Sequence, residues 1–428
     1  MILYLRKLIN ITFRMLAEII TIGDELLIGQ VVDTNSAWIA QHLNDIGIKV
    51  KQITSVSDEE GHILQALNEA IKRADIILLT GGLGPTKDDI TKKTLCKYFN
   101  TGLKFDEQSY KIIETIFHSR GREVTPINRL QAEVPENCTV LHNFLGTAPG
   151  MWFEKDKKIY ISMPGVPSEM KGLMEKIILP KIKERFPLVP IVHKTILTQG
   201  AGESFLSDLI SSWEDNLPSN LKLAYLPAAG MVRLRITANG ENEETLRKEV
   251  ENEALKLKAL IGEYIYGYEN DKLEALIGRL LREQKKTICT AESCTGGFIA
   301  HKITSIPGSS EYYIGSVVAY ANEIKINELN VDMLTLETHG AVSEQVVKAM
   351  AHNARKKFKT DYSIACSGIA GPDGGTADKP VGTVWIAVSN FEKIITRKLQ
   401  LGTSRERVIL ETAQHTLNTL RKMLIGEL

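Results

Sequence analysis

Residues 74–89, ADIILLTGGLGPTKDD, decide the fold class of the first part of the chain. An apolar run (Ile76 to Leu79) reads as a strand buried on both faces, and it ends abruptly in glycines. Working outward, LAEIITIG (16–23) has the same character and also ends in glycine. Between the two lie a helix-like segment with Trp38, Ile39 and Leu43 on one face, an alternating strand IKVKQITSV (48–56), and an amphipathic stretch from Glu60 to Lys72 that turns Ile63, Leu67 and Ile71 inward. This β-α-β-α-β order predicts a mostly parallel sheet with helices on both faces. ISMPGVPSEM (161–170) repeats the strand-then-turn pattern and can close the same sheet.

Ligands of such sheets bind beyond the carboxyl ends of the strands, here at GDELLIGQVVDTN (23–35) and TGGLGPTKDD (80–89). Gly81, Gly82 and Gly84 let backbone amides approach a ligand, Pro85 stiffens the exit, and Thr86 can cap the next helix. Asp88 and Asp89 bring carboxylates to the same rim as Asp24 and Glu25. Glycines for phosphate and acids for Mg²⁺ make a nucleotide or phosphate-ester arrangement. A helix-capped turn with solvated acids fits the same composition.

The chain has 428 residues, enough for about three domains. Its 43% apolar and 24% charged content is that of an ordinary globular protein. Lys plus Arg equals Asp plus Glu at 52 each, so no global field favours nucleic acid or an anionic membrane. Cys96, Cys138, Cys289, Cys294 and Cys366 are scattered, with no CxxC pair, which argues against a disulfide framework or zinc site and points to a reducing cytoplasm. No run is long and apolar enough to span a bilayer. The opening MILYLRKLINITFRM (1–15) is expected to be an extension ahead of the fold, or to precede a true start at Met15.

Beyond residue 170, Pro180, Pro187 and Pro190 mark a boundary, and 171–266 reads as a small α+β domain. Its strand MVRLRIT (231–237) alternates Val232, Leu234 and Ile236 against Arg233, Arg235 and Thr237, so one face is wet. Without a GXXG loop or an aromatic platform, this domain is expected to be a spacer, and direct nucleic-acid binding is not expected.

Residues 267–428 form a third, α/β domain around TAESCTGG (290–297). A short apolar run (Thr287 to Cys289) precedes it as a strand, and Phe298, Ile299, Ala300 and Ile303 follow as the buried face of a helix. Ser293 therefore falls near a strand-to-helix turn, whose first amides can hold a phosphate or an oxyanion. Ser293 as a simple N-cap is the bland alternative. Later strand ends carry VVAYANEIK (317–325), SIACSGIAGPDGG (363–375) and KPVGTVW (379–385).

Taken together, GDELLIGQVVDTN, TGGLGPTKDD and MPGVPSEM resemble the MoaB/MogA-like molybdopterin-binding fold. TAESCTGG, PGSS (307–310), VVAYANEIK, HGAVSE (339–344), SGIAGPDGG and KPVGTVW, in that order, resemble the nicotinamide mononucleotide deamidase domain of the CinA family of competence- and damage-inducible proteins. The resemblance spans nearly the whole chain from Leu16. It implies a MoaB/MogA-like domain at 16–170 and a deamidase at 267–428.

By that resemblance the third domain converts nicotinamide mononucleotide to nicotinate mononucleotide and ammonia, with no cofactor. Ser293 is the implied nucleophile. Lys325 is the base, provided burial keeps it neutral, and Tyr320 can relay a proton or orient the lysine. Cys294 is the rival nucleophile, while His301 and His339 are poorly placed for a triad. Thr295, Gly296, Gly368, Gly371, Gly374 and Gly375 are expected to bind substrate, with Arg405 or Arg407 supplying charge. An extra residue between Gly402 and Arg405 leaves open which arginine does so.

For the N-terminal domain the resemblance implies a pterin-like pocket that either cleaves ADP-ribose with Mg²⁺ or another divalent metal, or serves as a binding or regulatory module. Asp24, Asp88 and Asp89 are then the expected metal ligands, with Gly81, Gly82, Gly84 and Thr86 on the phosphates. A homodimer is expected. The alternative is a non-catalytic ligand-binding adaptor for competence or DNA-damage partners.

Overall fold

The computed structural model describes residues 15–428. The expectations for the opening segment fall, Met15 apart, outside them. The chain divides into two compact units, residues up to 192 with 238–247, and residues 193–237 with 248–428.

The first unit is built on β1 (Leu16–Ile22), α1 (Thr34–Asp45), β2 (Lys49–Val56), α2 (Glu60–Ala70) and β3 (Ile76–Thr80). It continues through β4 (Thr139–Leu141), β5 (Gly150–Lys155), β6 (Lys158–Met163) and α3 (Pro167–Leu173). The six strands run in the order β2-β1-β3-β6-β5-β4. The pairings β1·β2, β1·β3 and β3·β6 are parallel, and β4 and β5 add antiparallel strands at one side. Every residue of β3 is buried, as its apolar run requires in a central strand, whereas β2 at the edge is mostly exposed.

MPGVPSEM does close this sheet through β6 and α3. The helical chain then runs on to Arg185, burying Met170, Leu173, Met174, Ile178 and Ile182 against Ile19 and Leu78. The N-terminal core therefore extends past residue 170, because these residues complete the layer covering one sheet face.

A four-stranded sheet follows, from β7 (Ile191–Gln199), α4 (Glu203–Asp215), β8 (Leu221–Ala228), β9 (Met231–Asn239), α5 (Glu243–Ile261) and β10 (Ile265–Tyr268), in the order β8-β9-β7-β10. Val232, Leu234 and Ile236 are buried along β9, with Arg233 exposed, as the alternation predicts.

The last part comprises α6 (Leu273–Glu283), β11 (Ile288–Glu292), α7 (Phe298–Thr304), β12 (Tyr313–Val318), α8 (Asn322–Leu329), α9 (Glu344–Phe358), β13 (Tyr362–Gly368), β14 (Thr383–Ser389), β15 (Ile394–Gln400) and α10 (Arg405–Leu424). Its sheet order is β12-β11-β13-β14-β15. Strand β11 pairs in parallel with β12 and β13, so Ser293 and the glycine-rich loop after Gly368 leave the same end of the sheet. Leu197 and Tyr266 of the preceding segment share one core cluster with Ile277, Ile288, Ile364 and Leu417. This core cluster spans the expected boundary at 266/267.

Among the described residues no helix is long and apolar enough to cross a membrane.

At Gly81 the backbone has φ +115°, and an added Cβ would lie 2.1 Å from the Ile22 carbonyl oxygen. The Gly81 amide also donates to Met163 O (3.1 Å), tying the ends of β3 and β6. Strain and overlap together are expected to make Gly81→Ala cost about 3 kcal/mol, measured by calorimetric or denaturant unfolding.

Candidate active site

Strand β11 delivers Glu292 and Ser293 to the end of a buried strand, where Ser293 N donates to Cys366 O at 3.1 Å. The chain then turns through Gly296 (φ +60°) and Gly297 (φ +96°), left-handed positions that suit glycine, before α7 starts. The N-cap of α7 is Gly297, with no side-chain cap. Ser293 is therefore not the N-cap, because four residues of turn separate it from the helix.

The Ser293 hydroxyl instead meets Lys325. This lysine is on α8, is 1% exposed, and places Nζ 3.2 Å from Ser293 Oγ. Nζ also donates to Ala319 O (2.8 Å) and Tyr320 O (3.2 Å). No carboxylate is among these partners. Burial lowers the lysine pKa from its ordinary value, against the opposing effects of Cys294, Cys366 and Glu323. A neutral amine has two N–H groups and one lone pair. With both N–H groups on the carbonyls, the lone pair is left to face the serine hydroxyl, which is the geometry of a serine–lysine base pair.

Cys294 points the other way. It is 6% exposed and sits in the core with Cys366, whose thiol contact, together with burial, holds the Cys294 thiol well above its ordinary range. The structure thus separates the two rival nucleophiles, with Ser293 on the lysine and Cys294 in the core.

Tyr320 differs from the expectation. Its ring is 60% exposed, its carbonyl rather than its phenol meets Lys325, and its phenol accepts from Arg405 Nη2 at 3.1 Å. A proton relay to the lysine is not in reach. Arg405 also donates to Gly371 O (2.9 Å), joining the glycine loop to the rim beside Lys325. Arg407 is paired with Glu411 (2.7 Å) along its own helix, whereas Arg405 reaches the glycine loop and Tyr320. Gly371 (φ +85°) and Gly374 (φ +91°) shape that loop. At Gly375 a Cβ would lie 2.7 Å from Val381 N, and at Gly368 2.6 Å from Val384 Cγ2, so these two serve close packing.

Thr295 is also turned inward, donating to Glu292 Oε2 at 2.7 Å, so its side chain is not offered to substrate. The first α7 amides are taken as well: Ile299 N and Ala300 N donate to Glu292 at 2.9 and 2.8 Å. The amides of Gly296 and Phe298 close turns onto Ser293 O and Thr295 O. Those of Thr295 and Gly297 have no partner among the hydrogen bonds of the described residues. The helix-start amides expected to hold an oxyanion are therefore already engaged, and the amides without a partner are in the turn. Glu292 was missed in the sequence reading, although a lone acid ending an apolar strand was a signal.

The N-terminal unit holds a cavity of about 440 Å³ at the strand ends, lined by Gly81, Gly82, Gly84, Asp58, Asp88 and Glu169 among others. Asp89 braces the loop itself, accepting from Gly84 N (2.7 Å), Thr86 N (2.9 Å) and the Thr86 hydroxyl. That removes Gly84 and Thr86 as phosphate donors and engages both oxygens of Asp89. Gly81 N is committed to Met163, which leaves Gly82 of the expected donors. Asp24 does not line the cavity; its carboxylate accepts from Asp58 N at 3.4 Å. Burial raises the Asp58 pKa, and the charges of Asp24, Glu25 and Asp88 add to the effect. Among the described residues no three acidic, histidine or cysteine side chains converge as a metal-ligand set. The trio Asp24, Asp88 and Asp89 does not fit a ready-made metal centre.

Residues 18–184 match the probable molybdopterin binding domain, 193–267 the damage-inducible protein CinA KH domain, and 270–424 the CinA C-terminal domain. A CinA-like protein of Cytophaga hutchinsonii is 51% identical over 408 residues, covering 95% of this chain and 98% of its own. The chain belongs to the CinA family. A CinA-like protein of Flavobacterium psychrophilum is 47% identical over 416 residues, 96% of this chain and 99% of its own. A solved competence/damage inducible protein from Agrobacterium tumefaciens is 35% identical, covering 36% of this chain and 98% of that one, at a TM-score of 0.34. This CinA-family chain carries no G-x-x-G within the KH-matched segment 193–267.

Because Cys294 is buried and its thiol is held protonated, iodoacetamide is expected to leave it unmodified in the native protein at neutral pH and to alkylate it after denaturation, as read by peptide mass spectrometry.

Proposed function

We propose that the chain is a nicotinamide-nucleotide amidohydrolase, converting nicotinamide mononucleotide and water to nicotinate mononucleotide and ammonia. The observation that carries the chemistry is the buried Lys325 amine, 3.2 Å from Ser293 Oγ and hydrogen-bonded to two backbone carbonyls. The choice of substrate rests on the motif resemblance of residues 290–297, 317–325 and 367–375.

In this reading Ser293 Oγ attacks the carboxamide carbon while its proton passes to Lys325 Nζ. The amides of Thr295 and Gly297 face the developing oxyanion. The C–N bond breaks as Lys325 returns the proton to the leaving nitrogen, releasing ammonia and leaving an ester on Ser293. Water then attacks that ester as Lys325 takes its proton; the C–Oγ bond breaks, Lys325 returns the proton to Ser293 Oγ, and nicotinate mononucleotide departs. Arg405 and the loop at Gly371 and Gly374 bind the phosphate end.

A second reading concerns the N-terminal cavity. Its wall includes Asn35, whose Nδ2 is fixed on Gly165 O (2.7 Å) while Oδ1 is buried without a partner, and Gln131, whose Oε1 is likewise unpartnered. ADP-ribose, cleaved as by a pyrophosphatase, is the ligand that the resemblance implies for this cavity. No step is assigned to a metal there.

Ammonia release from nicotinamide mononucleotide by the full-length protein is expected to fall by roughly 10³-fold or more in Ser293→Ala and in Lys325→Met. Full activity in either variant would remove the dyad. Activity should rise with pH through the lysine pKa, with a midpoint below the ordinary 10.5, because protonation at lower pH consumes the base. For the second reading, calorimetric titration with ADP-ribose should show binding, and AMP should be released on incubation. No binding rejects it, and binding without turnover favours an adaptor role for that domain.

A further inference from the structure

Glu292 is fully buried at the last position of β11, one residue before Ser293. Its Oε2 accepts from Ile299 N (2.9 Å) and Thr295 Oγ1 (2.7 Å). Its Oε1 accepts from Ala300 N (2.8 Å) and Thr290 Oγ1 (3.3 Å). No basic side chain is among these donors. A buried carboxylate is tolerated only when its lone pairs are filled, and here the start of a helix and two hydroxyls fill them. On the other side of Ser293, Lys325 spends its N–H groups on carbonyls. Two buried ionisable groups thus flank the nucleophile without a hydrogen bond between them.

Building on Ser293 as the nucleophile of the proposed amidase, we propose that Glu292 is a positioning residue for it. Its carboxylate draws the first turn of α7 and the Thr295 hydroxyl back onto the end of β11. That closure folds residues 293–297 around Ser293, aims its Oγ at Lys325, and leaves the Thr295 and Gly297 amides unspent. Because Glu292 is satisfied by the helix, it makes no ion pair with Lys325 that would hold the amine protonated.

The geometry makes the carboxylate hard to replace. Each oxygen accepts one backbone N–H, so a glutamine in either amide orientation turns its NH₂ group against a donor. An aspartate is one methylene short of both amides.

The test uses the full-length protein and phenylmethanesulfonyl fluoride, which reads the nucleophilicity of Ser293 without reference to the natural substrate. Oγ forms an O–S bond, the S–F bond breaks, fluoride leaves, and the serine proton passes to Lys325. The rate is followed by the mass shift of the Ser293 peptide. In Glu292→Gln and Glu292→Asp it is expected to fall by about 100-fold, the scale of an ångström's misplacement, while the pH midpoint stays at the wild-type value and the thermal transition persists. Labelling at the wild-type rate in a folded variant overturns the proposal. So does a loss that only tracks the unfolded fraction, or one accompanied by a moved pH midpoint, which would make Glu292 act through the charge of Lys325. Should neither variant fold, Thr295→Val decides, since it removes one donor and keeps both amide contacts: slower labelling supports the proposal, an unchanged rate overturns it. Wild-type labelling at Ser293 without ammonia release from nicotinamide mononucleotide rejects the substrate while leaving the role of Glu292 measurable.

Discussion

An amine with almost no access to water, held by two main-chain carbonyls and directed at a serine hydroxyl, is the constraint on which the C-terminal part of the structure turns. Burying it is costly in the charged form, and a carboxylate partner would offset that cost by keeping it charged. Carbonyls accept hydrogen bonds in either protonation state. They therefore orient the lysine without fixing its charge, as the proposed exchange of a proton with Ser293 requires. The short segment from Ala319 to Lys325 supplies both the carbonyls and the amine, so the orientation is a local property of the entry into α8.

The turn at 293–297 meets the complementary demand. Its left-handed glycines reverse the chain tightly, and the carboxylate before it absorbs the helix amides. Backbone N–H groups that would otherwise be shared among helix start, ligand and solvent are thereby sorted into two sets. In the N-terminal unit Asp89 does comparable sorting, filling its own loop amides and narrowing what a ligand can contact.

The fold was legible because burial leaves a periodic trace. The unbroken apolar run of β3 marked a central parallel strand, and the alternation in β9 a half-wet one. Ser293 and Lys325 were legible through motif resemblance, and Arg405 only as one of two arginines. The misread residues were those whose role depends on which way a polar group turns. Tyr320 gives a carbonyl to Lys325, the Thr295 hydroxyl turns to Glu292, and Asp89 braces its own loop, because each short-range partner wins over the solvent-facing option. Spacing alone carries no information on that competition. Glu292 escaped for a related reason: its partners are amides, which sequence does not display as partners.

Helix α10 carries one more consequence. It begins with Arg405, and Glu411, Gln414, Asn418 and Arg421 along it are buried despite their polarity. At Gly230, the bend between β8 and β9, an added Cβ would lie 2.7 Å from Gln414 Oε1. The middle sheet thus buttresses the helix that presents the arginine, and Leu197 and Tyr266 lend it core. A segment outside the candidate site still bears on how firmly Arg405 is held. Leu197 and Tyr266 thus belong to the same core as the strands beyond residue 267, and a cut at that point would take two apolar side chains out of it.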